Sequence, residues 1–213
     1  MANPDGTQFD LSQPELKWRK NRRNNGDGTF GVDLSRNFGF HWGESGADDE
    51  TSDSRYRGKE SFSEPETQAI RDFLRAQLNI RVVLDFHSFG ERIFFPWGYS
   101  LDSVPSSIDQ AVFQKMAQTM ASKNHYKVEQ SSHLSFASGE LPDWVYGELG
   151  RYAFTFELSP GPEDDDGFYP DNSVLEKVVM DNIEPCLYAI DVSGNPIAVI
   201  RAKRLGKLIR ANF

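Results

Sequence analysis

The sequence predicts an α/β fold: a mixed, mostly parallel central sheet flanked by helices. Two apolar runs rich in β-branched and aromatic residues, around VVLDF and YAFTF, read as buried strands, and amphipathic stretches with helical spacing lie between the strand candidates. Strands separated by helices argue for layered α/β architecture.

Taken in order, residues 1 to 62 are rich in Gly, Asn, Asp and Arg, show little periodicity, and read as long polar loops. A helix is then predicted from Ser63, which has capping-box spacing to Glu66. Pro65 fits its first turn, and Ala69, Ile70, Phe73, Leu74 and Leu78 form its apolar stripe. Strands follow at Ile80 to Phe86 and at Ile93 to Pro96. Ile108, Val112, Phe113, Met116, Ala117 and Met120 mark a second amphipathic helix whose methionines read as core. A weaker strand near Tyr126 to Glu129 comes next, then a short helix around Pro142 to Leu149 and a strand at Tyr152 to Leu158. A last helix begins near Ser173, where Pro185 is expected to bend or interrupt it.

With 213 residues, 38% of them hydrophobic, the chain is long enough for one substantial core, and one domain over residues 1–192 followed by a basic tail at 193–213 is expected. A net charge of -9 argues against nucleic acid as the main partner, since phosphate binding needs clustered Lys and Arg. There is no membrane-spanning run, and the N-terminus MANPDGTQFD lacks the pattern of a secretory signal. The single Cys186 excludes an internal disulfide and any CxxC metal motif. In the tail, Arg201, Lys203, Arg204, Lys207 and Arg210 alternate with apolar residues. Docking on the acidic body is the simpler reading, with a partner or an anionic membrane as the alternatives. The acidic run Glu163 to Asp166 lacks the spacing of a calcium loop and reads as a solvated turn.

Two residues carry candidate chemistry on position alone. His87 and Glu157 each stand where a strand should end, an imidazole able to hold a metal and a carboxylate able to act as general base. The segments NPDGTQFDLSQPELKWRKNRR, GVDLSRNFGFHWGESGA, YRGKESFSEPET, DFHS, FPWGYS, FASGELPDW and FTFEL then give the context. In this order they resemble zinc metallocarboxypeptidases of the carboxypeptidase A type, from about Asn3 to about Tyr188. The resemblance implies a carboxypeptidase-like fold with an eight-stranded sheet, of which the N-terminal strands would be missing here. One flank of the sheet would then be uncovered, so that the edge pairs with another copy or partner, the remaining half rearranges, or the sequence is a fragment of a longer gene product. It also implies zinc as cofactor, peptide or protein C-termini as partners, and a secreted or extracellular setting.

Residue by residue, the resemblance makes His87 a zinc ligand and Glu157 the residue that takes a proton from metal-bound water. Arg19 becomes the group that stabilises the tetrahedral oxyanion, and Arg36 the partner of the substrate's terminal carboxylate. Lys17, Lys20, Arg22 and Arg23 read as a solvated face. The family's remaining ligands come from an HxxE motif before NPDG. His41 and Glu44 have that spacing but follow GVDLSRN, so they read as a decoy. His125 and His133 read as surface residues. With one ligand in place of about three, zinc affinity is expected to collapse.

Two substitutions point toward relaxed catalysis. Ser35 stands where relatives usually have Asn, and Ser135 where they carry a tyrosine that closes over substrate. Pro142, at the selectivity position before the Asp143-Trp144 pair, is uncharged and favours an apolar C-terminal residue, although Glu140 and Asp143 lie close by. Three functions therefore compete: a zinc carboxypeptidase, weak or inactive as given; a non-catalytic binder of peptide C-termini; and an assembly module.

Overall fold

The computed structural model describes residues 1–163 and 167–201. The chain forms two compact units, each built from discontinuous segments: residues 1–79, 97–101 and 131–150 in the first, and 80–96, 102–130 and the chain from 151 onward in the second.

The second unit holds the sheet. Its strands β1 (Val82–Ser88), β2 (Arg92–Phe95), β3 (Lys127–Gln130) and β4 (Tyr152–Leu158) lie in the order β1-β4-β2-β3. β1 pairs parallel with β4, β2 pairs parallel with β3, and the central β2–β4 pair is antiparallel, so the sheet is mixed and mostly parallel as expected. Against it packs α3 (Ser107–Asn124), whose Val112, Phe113, Met116, Ala117 and Met120 are wholly buried. The two methionines are core. Phe113 meets the rings of Tyr152, Phe154 and Phe95 at centroid distances of 5.1, 5.5 and 6.1 Å. Packed on α3 is α5 (Asn172–Val192), to which it is joined inside the core by a 3.0 Å hydrogen bond from Asn124 to Asn182.

One flank of this unit is open. β1 is an edge strand with Phe86 44% exposed, and α5 turns Leu175, Val179, Met180, Ile183, Leu187 and Ile190 to solvent.

The first unit carries α1 (Pro4–Ser12), α2 (Pro65–Ala76) and α4 (Leu141–Leu149) among long loops. Its centre is an aromatic trio: Phe62 and Phe38 lie 5.3 and 5.9 Å from Trp144, and 5.7 Å from each other. A buried polar network joins the loops to the start of α2. Glu64, 1% exposed, accepts from Asn21 Nδ2 at 2.7 Å, from Arg23 Nη1 at 2.6 Å and from the Ser63 hydroxyl at 2.6 Å. In turn Asn21 Oδ1 accepts from the Val32 amide, and the Asn21 amide donates to the Val32 carbonyl.

Several expectations need correction. Residues 1–62 are not all loop. α1 opens at Asn3, whose side chain caps the Gly6 amide, with Pro4 in the first turn, but it has no apolar stripe for periodicity to detect. No capping box forms at Ser63, because its hydroxyl donates to Glu64, and α2 starts without a side-chain cap while Glu66 accepts from Asn21. The stripe of α2 is narrower than expected. Leu74 is buried, whereas Phe73 and, beyond the helix, Leu78 are 57% and 82% exposed. Pro185 does not interrupt α5, which runs through it. Finally, Lys20, Arg22 and Arg23 are not a solvated face. Lys20 is 5% exposed and donates to the Thr51 carbonyl, Arg22 stacks on Phe9, Trp18 and Phe30, and Arg23 pairs with Glu64. Aromatic rings and buried acceptors far along the chain hold these cations. His125 and His133 are exposed as expected. Residues 164–166 of the acidic run, and the tail residues Lys203, Arg204, Lys207 and Arg210, lie outside the described residues.

Candidate active site

In the second unit, parallel pairing of β1 with β4 sets His87 directly opposite Glu157, so both side chains leave the same face of the sheet. On the other side of β4, antiparallel β2 sets Arg92 opposite Glu157. The residue Glu157 is thus in register with a histidine on one side and an arginine on the other. Arg92 Nη1 donates to Glu129, which Lys127 also meets at 2.8 Å. Burial pushes the Glu129 carboxyl up, but the hydrogen bonds from Lys127 and Arg92 outweigh it and leave the pKa below its ordinary value. The His87 ring is oriented from its own strand: Nε2 lies 3.0 Å from Oδ2 of Asp85, two residues back on the same face. A non-proline cis peptide joins Ser88 to Phe89 just beyond.

In the first unit, the Ser35 hydroxyl joins both candidate arginines. It donates to Asp33 Oδ1 at 2.7 Å and accepts from Arg19 Nη2 at 3.2 Å and from Arg36 Nη1 at 3.0 Å. Asp33 itself caps the turn Leu34–Arg36 and takes a 2.7 Å ion pair from Arg19. Arg36 is fixed further by Nε donating to the Gly46 carbonyl and Nη1 to the Ser35 carbonyl, both at 2.9 Å. Gly46 has φ +76°, and its added Cβ would run into the Phe136 carbonyl, so this acceptor needs glycine. Arg19 also borders a groove of about 450 Å³ lined by Trp18, Lys20, Arg22 and Phe30 among others.

The remaining candidates lie in the same unit. Ser135 is exposed, in the surface stretch between His133 and Phe136, and Pro142 is buried in the first turn of α4. Beside Pro142, Asp143 is 1% exposed and accepts from the Gly98 and Tyr99 amides. Burial, and then the charge of Glu140, hold the Asp143 carboxyl well above the ordinary carboxylate range against those two donors. Glu140 Oε1 lies 3.8 Å from Arg36 Nη1, and its Oε2 accepts from the Ser131 hydroxyl at 3.0 Å. His41 and Glu44 meet each other, Nδ1 to Oε1 at 2.8 Å.

Sequence reasoning named the arginines, the histidine and the glutamate, but not Asp85, Asp33 or Arg92. Asp85 had a signal in the alternation of Asp85 and His87 on one strand face. Asp33 had one in its position just before Ser35 and Arg36. Arg92 had none short of the strand register.

The model of the zinc carboxypeptidase family (peptidase M14) matches residues 1–185. This chain belongs to that family. Among relatives of this zinc carboxypeptidase-family chain, carboxypeptidase B of Astacus astacus is 35% identical over 185 residues, covering 81% of this chain and 59% of its own length. Carboxypeptidase A1 of Homo sapiens is 35% identical over 163 residues, covering 74% and 39%. The chain thus spans roughly half the length of the curated carboxypeptidases it matches. Among solved structures, bovine thrombin-activatable fibrinolysis inhibitor, in complex with tick carboxypeptidase inhibitor, superimposes with a TM-score of 0.79 at 28% identity. That match covers 95% of this chain and 68% of the other. Carboxypeptidase A from Helicoverpa armigera gives the same TM-score and identity, covering 95% and 51%.

Zinc is the metal of this family, and the donor set can be tested against it. A catalytic zinc takes about three protein ligands and keeps one position open. Among the described residues, no three His, Cys, Asp or Glu side chains are grouped to hold an ion. His87 has Asp85 at its Nε2 and Glu157 across the ladder, and this set does not make up a zinc site. Among the described residues, too, no helix is long and apolar enough to cross a membrane.

Proposed function

We propose that this chain recognises the free C-terminus of peptides on a metallocarboxypeptidase framework, with hydrolysis of the terminal peptide bond as the family chemistry and weak or no turnover by the described residues. The observation that carries this is the Ser35 bridge, which gathers two guanidinium groups within hydrogen-bond distance of one oxygen. Two cations so placed repel each other unless an anion is shared between them. Asp33 pairs closely with Arg19 at 2.7 Å, whereas Glu140 stands 3.8 Å from Arg36, a looser contact that leaves Arg36 able to take a peptide carboxylate.

Arg36 is the carboxylate partner. Among the described residues its Nη2 makes no hydrogen bond, whereas Nε and Nη1 are tied down, so the head group is held with one edge ready to donate. Arg19, 47% exposed, donates beside the carbonyl of the last peptide bond, where a preorganised cation favours oxyanion character. In the second unit, taken by itself, Glu157 in register with His87 and Arg92 is a carboxylate able to accept a proton from water. Water without a metal is a poor nucleophile, so binding is the stronger part of this reading.

Calorimetric titration of the purified chain with a peptide bearing a free C-terminus, against the same peptide amidated, tests recognition. Binding of the acid form alone is the expected result, and equal binding of both would overturn it. Metal content measured on the same sample, with C-terminal trimming of the peptide followed by mass spectrometry, separates binding from turnover. Zinc at unit occupancy together with trimming would replace this reading by that of an active enzyme.

A further inference from the structure

The Arg22 side chain is held by rings alone. Its guanidinium carbon lies 3.6, 4.5 and 4.6 Å from the ring centroids of Phe9, Trp18 and Phe30, and among the described residues the side chain makes no hydrogen bond and no ion pair. Rings attract a guanidinium through their faces and leave its N–H edge without a strong acceptor. The cations on either side are committed: Arg19 to Asp33 and Ser35, Lys20 to the Thr51 carbonyl, Arg23 to Glu64.

Arg22 lines the groove of about 450 Å³ in the first unit, a volume that suits a small molecule. Ser52 and Ser54 line it too, and among the described residues their hydroxyls have no hydrogen-bond partner, whereas Thr29 and Thr51 donate theirs to Asp27. Lys17, Arg19, Lys20 and Arg22 bring four cations to the walls, and among the described residues no Asp or Glu lines them. The carboxylates of the region are engaged elsewhere. Asp33 pairs with Arg19, Asp53 meets Arg55, Asp10 accepts from the Trp18 amide, and Asp5 from the Gly6 and Arg22 amides. They temper the field in the groove without placing a carboxylate in its wall.

The free donors come from two separate segments, one at residue 22 and one at residues 52–54. A carboxylate keeps its two oxygens in one plane and suits a guanidinium edge alone. A phosphate or sulfate group offers three terminal oxygens in a tripod and can meet both segments at once. Such a head group fills only a small part of the groove. Leu16 and Phe30, 50% and 37% exposed, add apolar surface for the rest of a ligand.

We propose that this groove binds small organic phosphate or sulfate monoesters, with Arg22 and the Ser52 and Ser54 hydroxyls taking the tetrahedral head group and Leu16 and Phe30 the organic body. The site uses neither Arg36 nor the Ser35 bridge, so it stands or falls apart from the reading of peptide C-termini.

The test is a calorimetric titration of the full chain and its variants at low ionic strength with phenyl phosphate, phenyl sulfate, benzoate and inorganic phosphate. At least one phenyl ester should bind with a Kd below about 1 mM, and benzoate and inorganic phosphate at least about tenfold more weakly. The tighter of the two esters identifies the head group. Arg22→Met keeps an unbranched stem among the rings but removes the charge, and should weaken the better ester by about tenfold or more, the size of one charge-assisted pair. A thermal midpoint checks that this variant folds. The double change Ser52→Ala with Ser54→Ala alters only exposed hydroxyls and should weaken the same ester by about threefold or more. Arg36→Ala should leave it unchanged. Benzoate binding as tightly as the esters would overturn the tetrahedral head group, and loss of ester binding in Arg36→Ala would move the ligand to the peptide site. The proposal is also overturned if neither ester binds, or if the serine changes and a folded Arg22→Met leave binding as it was.

Discussion

Replacing Glu64 by glutamine should loosen the loops that carry both arginines. The wild-type carboxylate accepts three hydrogen bonds at 2.6 to 2.7 Å from Asn21, Arg23 and Ser63. Glutamine keeps the volume but loses the charge, and its amide nitrogen then faces donors. Arg23 is 34% exposed and recovers some water, which moderates the loss. The net cost is about 3 kcal/mol, at the low end for breaking a buried ion pair. Urea unfolding followed by far-ultraviolet circular dichroism at constant slope measures it. Arg23→Met supplies the other side of a double-mutant cycle, and the double variant should be less destabilised than the two single changes added together, by about 1.5 kcal/mol. Because Asn21 also clamps Val32, just ahead of Asp33 and Arg36, Glu64→Gln should weaken binding of peptide C-termini as well. A Glu64→Gln protein within about 0.5 kcal/mol of the parent would refute this account of the network.

Truncating Phe113 to alanine should cost about 3–5 kcal/mol in urea unfolding, since the ring is wholly buried among three aromatic partners, and a loss below about 1 kcal/mol would show that the core collapses around it. Gly46→Ala should weaken peptide binding and lower stability by more than about 1 kcal/mol, because its φ of +76° and the Phe136 carbonyl displace the acceptor that fixes Arg36; an unchanged Kd would count against that. Asp143 gives a pH signature. Folding raises its pKa, so the folded chain holds this proton more tightly, and the contribution of Asp143 to stability is fully present below the unfolded value of about 3.9 and is lost as pH rises through the folded value. Glu140→Gln removes one cause of that shift and should flatten the decline, whereas equal slopes would overturn the assignment. Asp27 acts in the opposite sense and in a lower window: hydrogen bonds from the Thr29 and Thr51 side chains hold it at about 2, and its contribution is lost as pH falls toward that value.

Elements whose apolar residues follow one period were legible in the sequence. β4 was read with its observed limits at Tyr152 and Leu158, and α3 with its buried face apart from Ile108, which is 54% exposed in the first turn, because Val112, Phe113, Met116 and Met120 repeat at helical spacing. The helix α1 was not legible, since a capping asparagine and a proline define it without any stripe. Nor was the burial of Lys20, which depends on a carbonyl at Thr51 that no local window connects to it. At the candidate site, motifs identified the charged residues but not what holds them. The Ser35 hydroxyl is an instance. As a replacement for asparagine it read as one contact weakened, yet in the fold it bridges two guanidinium groups and Asp33, an arrangement that exists only once the turn Leu34–Arg36 has formed.

The in-register ladder between β1 and β4 also sets how this protein tolerates length changes. Deleting one residue of β1 ahead of His87 would move every later residue by one step and turn the alternate face over, so that Ser88 would stand opposite Glu157 where His87 now does. Insertions and deletions should therefore survive in the connections between these strands, while inside them only substitutions that preserve the count of residues keep the histidine and the glutamate abreast.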